Sequence, residues 1–147
     1  MKVSLPLKPL NNIKSAKEEK SLLVPNLANK KILIAEDNTI NKVLIGAMLK
    51  ETQAKLTIVD NGQLAVKEIE KDTYDLILMD IQMPVMDGSE AQRLINSLQP
   101  NIPVIALTAN VMKEDVDCYL AQGFVSHIAK PIDISNLYGV LKSFSND

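Results

Sequence analysis

Five short apolar runs, KILIA, KLTIV, LILMD, VIALT and FVSHI, recur between residues 31 and 128, and each is followed by a stretch of helical character. The runs are almost unbroken rather than alternating, the pattern of strands covered on both faces. Helical crossovers between such strands are right-handed and place helices on both faces of one sheet. The chain is therefore expected to be α/β, a doubly wound five-stranded parallel sheet.

The intervening segments supply candidate core faces. In TINKVLIGAMLKE, Ile40, Val43, Leu44, Ala47 and Met48 follow helical spacing, and in QLAVKEIEK, Leu64, Val66 and Ile69 form an imperfect stripe. SEAQRLINSL follows, with Ser89 as its expected N-cap, and KEDVDCYLAQ is ended by Gly123. ISNLYGVLKSF puts Leu137, Val140, Leu141 and Phe144 on one face. Cys118, the single cysteine, is expected to be a small buried or half-buried side chain, and no internal disulfide can form.

Residues 1–30 read differently, as a linker or arm interrupted by Pro6, Pro9 and Pro25, in which only SAKEEKSLL has helical character. The arm carries six Lys and two Glu, whereas residues 31–147 carry ten basic and sixteen acidic residues. An acidic domain is a poor match for a phosphate backbone, and three Tyr, two Phe and no Trp make a poor platform for stacking bases, so direct nucleic-acid binding is not expected. No apolar run reaches membrane-spanning length, and a cytoplasmic domain is expected, free or as the cytoplasmic part of a membrane sensor. Only a few residues follow the last helix, so no output domain is expected in this stretch.

Open α/β sheets bind ligands beyond the carboxyl ends of their strands. The first strand ends at Glu36 and Asp37, the third at Asp80, the fourth at Thr108, and Lys130 follows the fifth. Asp80 alone could be a cap; with the others it becomes one of three acids, a hydroxyl and an ammonium aimed at one edge. Crowded acids resist joint ionisation, and a hard cation relieves them. Mg²⁺ suits the set, with Mn²⁺ as a substitute, because it takes a few oxygens, keeps waters and bridges to phosphate. Lys130 and Thr108 are poor ligands for it but good partners for phosphoryl oxygens. The edge is suited to accepting phosphate on a carboxylate. No GxGxxG or GxxxxGK[ST] loop is present, and His127 is the only histidine. An Mg²⁺-dependent aspartyl phosphatase of small esters is an alternative, but it would want an acid where Gln82 stands. A second alternative is an adaptor that is never phosphorylated.

ILIAEDNTINKVL, LILMDIQMPVMDGSEAQRL, IPVIALTAN and HIAKPI, with DNG at 60–62 in support, resemble the receiver domain of two-component response regulators over residues 31–145. The likeness is greatest to the receivers of hybrid sensor histidine kinases. The resemblance implies a flavodoxin-like (βα)5 fold with strand order 2-1-3-4-5. It implies that Asp80 is the phosphorylated residue, that Asp37, Glu36, Asp80 and the backbone carbonyl of Gln82 surround Mg²⁺, and that Lys130 and Thr108 contact the phosphoryl group. Gln82 and Asn110 would tune hydrolysis toward a lifetime of minutes or longer, and Lys130–Pro131 would be cis. His127 stands where the family carries an aromatic switch ring, and would be either a partly buried ring or a pH-sensitive part of the output face. A histidine kinase dimerisation or histidine phosphotransfer domain would dock near Asn41. Oligomeric state is left open.

Overall fold

The computed structural model describes residues 24–145. The sheet has five parallel strands in the order β2-β1-β3-β4-β5: β1 (Lys31–Ala35), β2 (Lys55–Val59), β3 (Leu76–Asp80), β4 (Val104–Thr108) and β5 (Ser126–Ala129). Between and after them lie α1 (Thr39–Lys50), α2 (Gly62–Lys71), α3 (Gly88–Leu98), α4 (Lys113–Ala121) and α5 (Ile134–Leu141), the last running into a 3₁₀ turn at Lys142–Phe144. SAKEEKSLL and the upstream prolines Pro6 and Pro9 lie outside the described residues.

Alternation along the strands divides the core in two. Ile32, Ile34, Leu76, Leu78, Ile105 and Leu107 face one side, packing with Ile45 and Leu49 of α1 and Leu137, Tyr138 and Leu141 of α5. Leu33, Ala35, Ile77, Met79, Val104 and Ala106 face the other, against Ala65 and Ile69, Ala91 and Ile95, and Tyr119. β3 and β4 are buried throughout, which is why their sequences are continuous apolar runs, while β2 is an edge with exposed positions. The Tyr138 hydroxyl donates to the Met48 carbonyl at 2.7 Å and ties α5 to α1.

Several local expectations are corrected. In α1 the face Ile40, Val43, Leu44 and Ala47 points outward, with Ile40 76% and Val43 68% exposed, and Ile45 and Leu49 turn inward instead. The helix is apolar on most of its circumference, so spacing alone cannot set its phase; the sheet does. In α2 Ala65 takes the buried place expected of Leu64. Asp87, not Ser89, caps α3, accepting from the Glu90 N–H at 2.9 Å. Cys118 is exposed. Residues 24–30, read from sequence as linker, pack on the domain: Leu27 is in the core and its N–H donates to the Thr52 carbonyl at 2.9 Å.

Asn38, Asn61 and Asp133 cap α1, α2 and α5 through their side-chain oxygens. Gly123, at φ +102°, ends α4, and the Phe124 N–H closes back on the Tyr119 carbonyl at 3.1 Å. Among the described residues no helix is long and apolar enough to cross a membrane.

Candidate functional site

Parallel strands deliver their last residues to one edge, and β1, β3, β4 and β5 end beside one another there. The backbone ladder runs past the strands: the Ile81 N–H donates to the Leu107 carbonyl at 3.1 Å and the Lys130 N–H to the Thr108 carbonyl at 2.9 Å. Glu36, Asp37, Asp80, Thr108 and Lys130 line a shallow cleft of about 200 Å³, together with Asn38, Asn41 and Gln82.

Lys130 is the centre of the ionic arrangement. Its Nζ donates to Asp80 Oδ2 at 2.8 Å and lies 3.1 Å from Glu36 Oε1. The Lys130–Pro131 peptide is cis. Asp80 Oδ1 accepts from the Gln82 N–H at 3.1 Å, and Glu36 Oε2 from the Asn38 N–H at the same distance. Glu36 and Asp80 are buried, Asp37 and Gln82 exposed. Burial, then the neighbouring Asp80 carboxylate, lifts the Glu36 carboxyl to about 7, against the opposing pull of the Asn38 N–H and Lys130. Burial pulls the Lys130 ammonium down, but Asp80 and Glu36 outweigh it and leave it above its ordinary value.

Carboxylate oxygens of Glu36, Asp37 and Asp80 all lie within 4.8 Å of one another. Glu36 Oε1 is buried without a hydrogen bond of good geometry, its ammonium neighbour apart. A wholly oxygen donor set, with one buried oxygen held only by the Lys130 ammonium, fits a hard divalent cation such as Mg²⁺.

Two glycines allow the loops to close on this cleft. A Cβ on Gly88 would fall 2.2 Å from the Asp80 carbonyl oxygen, and one on Gly62 would fall 2.6 Å from that of Met86. Between them Val85 has φ +70°, and the Met86 N–H donates to the Pro84 carbonyl at 2.7 Å, a γ-turn that a β-branched residue rarely enters.

Thr108 is brought to the cleft but its hydroxyl is engaged elsewhere. It lies 2.8 Å from the Tyr119 hydroxyl, accepts from the Asn110 N–H at 2.9 Å and reaches the Asn110 carbonyl at 3.3 Å. His127 is not among its partners; half-buried, it lines a groove on the α5 side with Ser135, Asn136, Gly139 and Val140. The Asn110 side chain is on an exposed residue, and only its backbone meets Thr108. Sequence reading missed Tyr119, 7% exposed, and the Asn38 N–H. A tyrosine one helical turn after Val116, on the inward face of the helix following Thr108, was the available signal.

The fold and the acidic edge define a class of domain that accepts a phosphoryl group on an aspartate, and the family model for the response regulator receiver domain matches residues 32–142. The chain belongs to the response regulator receiver domain family. Its acidic cluster is poised for Mg²⁺-dependent phosphoaspartate chemistry. It is 40% identical over 112 residues to the signal transduction histidine-protein kinase BarA of Escherichia coli K12, covering 75% of this chain and 12% of that protein. The receiver domain of a sensor histidine kinase from Pseudomonas aeruginosa, with magnesium coordinated in its active-site cleft, superposes with a TM-score of 0.73. Identity there is 38%, with 79% of this chain and 97% of that chain covered. A receiver domain of Saccharomyces cerevisiae, co-crystallised with a histidine phosphotransfer protein, has a TM-score of 0.71 and 27% identity over 81% of this chain and 92% of that one. The chain spans 22% or less of the length of the curated relatives first matched.

Proposed function

We propose that this domain is a phosphorelay receiver that takes a phosphoryl group from a phosphohistidine partner onto Asp80 and passes it on or hydrolyses it. The observation that carries the reading is the Lys130 ammonium bridging Asp80 at 2.8 Å and Glu36 at 3.1 Å. In the transfer the donor P–N bond breaks, its electron pair returns to the imidazole, and a P–O bond to the Asp80 carboxylate forms. Lys130 neutralises charge on the transferring group and keeps it in line for attack. Thr108 donates to a phosphoryl oxygen after transfer. Glu36, Asp37, Asp80 and the Gln82 carbonyl would hold Mg²⁺. When bound, the ion supplies further charge neutralisation at the phosphoryl oxygens.

Gln82 and Asn110 carry amides rather than acids, so neither activates water strongly. A phosphoryl half-life of minutes follows, and one below about ten seconds would contradict it. His127 faces the α5 groove and would belong to the output surface.

The partner is a histidine phosphotransfer or kinase dimerisation helix. The outward apolar face of α1, Ile40, Val43 and Leu44, supports this, because it begins beside the cleft and has no partner among the described residues. The setting is cytoplasmic, within a chain of hybrid-kinase type in which the basic arm serves as a tether. Phosphotransfer from a panel of histidine kinases and phosphotransfer domains tests the reading. Wild type gains label and D80N does not; label retained by D80N would reassign the site.

A further inference from the structure

Thr108 must turn its hydroxyl toward a phosphoryl group if the domain is a phosphoacceptor, and the present inference rests on that reading. In the structure that hydroxyl belongs to a closed set with the Tyr119 phenol at 2.8 Å and the Asn110 carbonyl at 3.3 Å, and the phenol is itself 3.4 Å from that carbonyl. Whichever hydroxyl donates to the other, both protons find acceptors inside the set. Tyr119 is held from behind as well. Its ring meets Phe124 edge-on, with centroids 6.2 Å apart and planes at 82°. Phe124 in turn leads toward β5, and just before that strand the Val125 N–H donates to the Val104 carbonyl at 2.9 Å.

We propose that Tyr119 is a positioning residue of the phosphorylation switch: its phenol holds the Thr108 hydroxyl in the resting arrangement and links it to α4. When Thr108 donates to a phosphoryl oxygen, its proton leaves the set and the phenol must find a new balance between Thr108 and the Asn110 carbonyl. The signal therefore enters α4 through a hydrogen bond and reaches β5 through Phe124, a route that does not require His127 to move. Resting and phosphorylated states compete for the same hydroxyl, so the phenol stabilises the first against the second.

The test is beryllofluoride binding to the full chain in saturating Mg²⁺, followed by the Asn110 amide resonance, with beryllofluoride as a stable mimic of the phosphoryl group. Y119F keeps the ring and its contact with Phe124 while removing the hydroxyl. Its binding midpoint falls about fivefold, the worth of one net hydrogen bond. Y119M, which fills the space with a flexible apolar chain, gives a fall in the same direction. Adding Y119F to a T108V background leaves the midpoint within about twofold of T108V alone, because the partner hydroxyl is already gone. A merely structural role predicts the same change in both backgrounds. That result, or a wild-type midpoint in Y119F, overturns the proposal while leaving the phosphoacceptor reading intact. Failure of the wild-type chain to bind beryllofluoride with Mg²⁺ overturns both.

Discussion

The Cβ that Gly88 lacks would lie 2.2 Å from the carbonyl oxygen of Asp80, closer than any side chain tolerates. The first turn of α3 thus rests against the backbone of the residue read as phosphoacceptor, and the Gly88 N–H donates to the Ile81 carbonyl at 2.9 Å. Because the obstacle is backbone, no side-chain rotation relieves it. G88A is expected to destabilise by about 2 kcal/mol or more in urea unfolding and to slow phosphoryl acceptance at least tenfold by displacing Asp80. Wild-type stability in G88A would show that the contact is slack.

Lys130 is expected to matter more for the transfer than for the cation. K130M keeps the length of the side chain and removes its charge. Phosphotransfer should slow by about 100-fold or more, the cost typical of losing a preorganised group at developing charge. Mg²⁺ affinity should hold or rise, since an ammonium that competes for Glu36 and Asp80 is gone. Parallel transfer time courses and Mg²⁺ titrations separate the two effects, and weaker Mg²⁺ binding would contradict the arrangement.

Glu36 makes stability depend on pH. Its carboxyl titrates near 7 in the folded protein against an ordinary 4.5, so the folded state holds this proton more tightly. Without divalent cation, its contribution to stability is complete below about 4.5 and is lost as pH rises through about 7. The difference between wild type and E36Q isolates it from other groups. That difference should shrink in saturating Mg²⁺, which favours the carboxylate. A pH-independent difference in metal-free buffer would rule the shift out.

The two faces of α1 should separate stability from recognition. L49A removes a fully buried side chain and is expected to cost about 2–5 kcal/mol. V43E alters a position that is 68% exposed and should change stability by no more than about 0.5 kcal/mol. The same V43E should weaken binding to a histidine phosphotransfer domain about tenfold, equivalent to about 1.4 kcal/mol. Unchanged affinity would place the docking surface elsewhere.

Strand content, fold class and the acidic edge were legible in the sequence because they follow from local pattern. KILIA, LILMD and VIALT are continuous apolar runs, and a parallel sheet leaves such runs only one way to be buried. Their final residues must then share an edge, so the sequence groups Glu36, Asp37, Asp80, Thr108 and Lys130. What pattern could not decide was phase and partnership. α1 is apolar on nearly every side, and only packing on β1 and β3 turns Ile45 and Leu49 inward and leaves Ile40 and Val43 outside.

The same distinction governs the switch. Resemblance to the family names position 127 as the ring that responds to Thr108, but names no resting hydrogen-bond partner for the hydroxyl. Tertiary structure gives the hydroxyl to Tyr119, eleven residues along the chain, because α4 folds back and lays that phenol 2.8 Å away. Strand periodicity fixes which edge a residue reaches, since each residue advances the chain by a constant step. Hydrogen-bond partners depend on how helices settle against the sheet, and that is decided by the sum of many packing contacts no single segment contains.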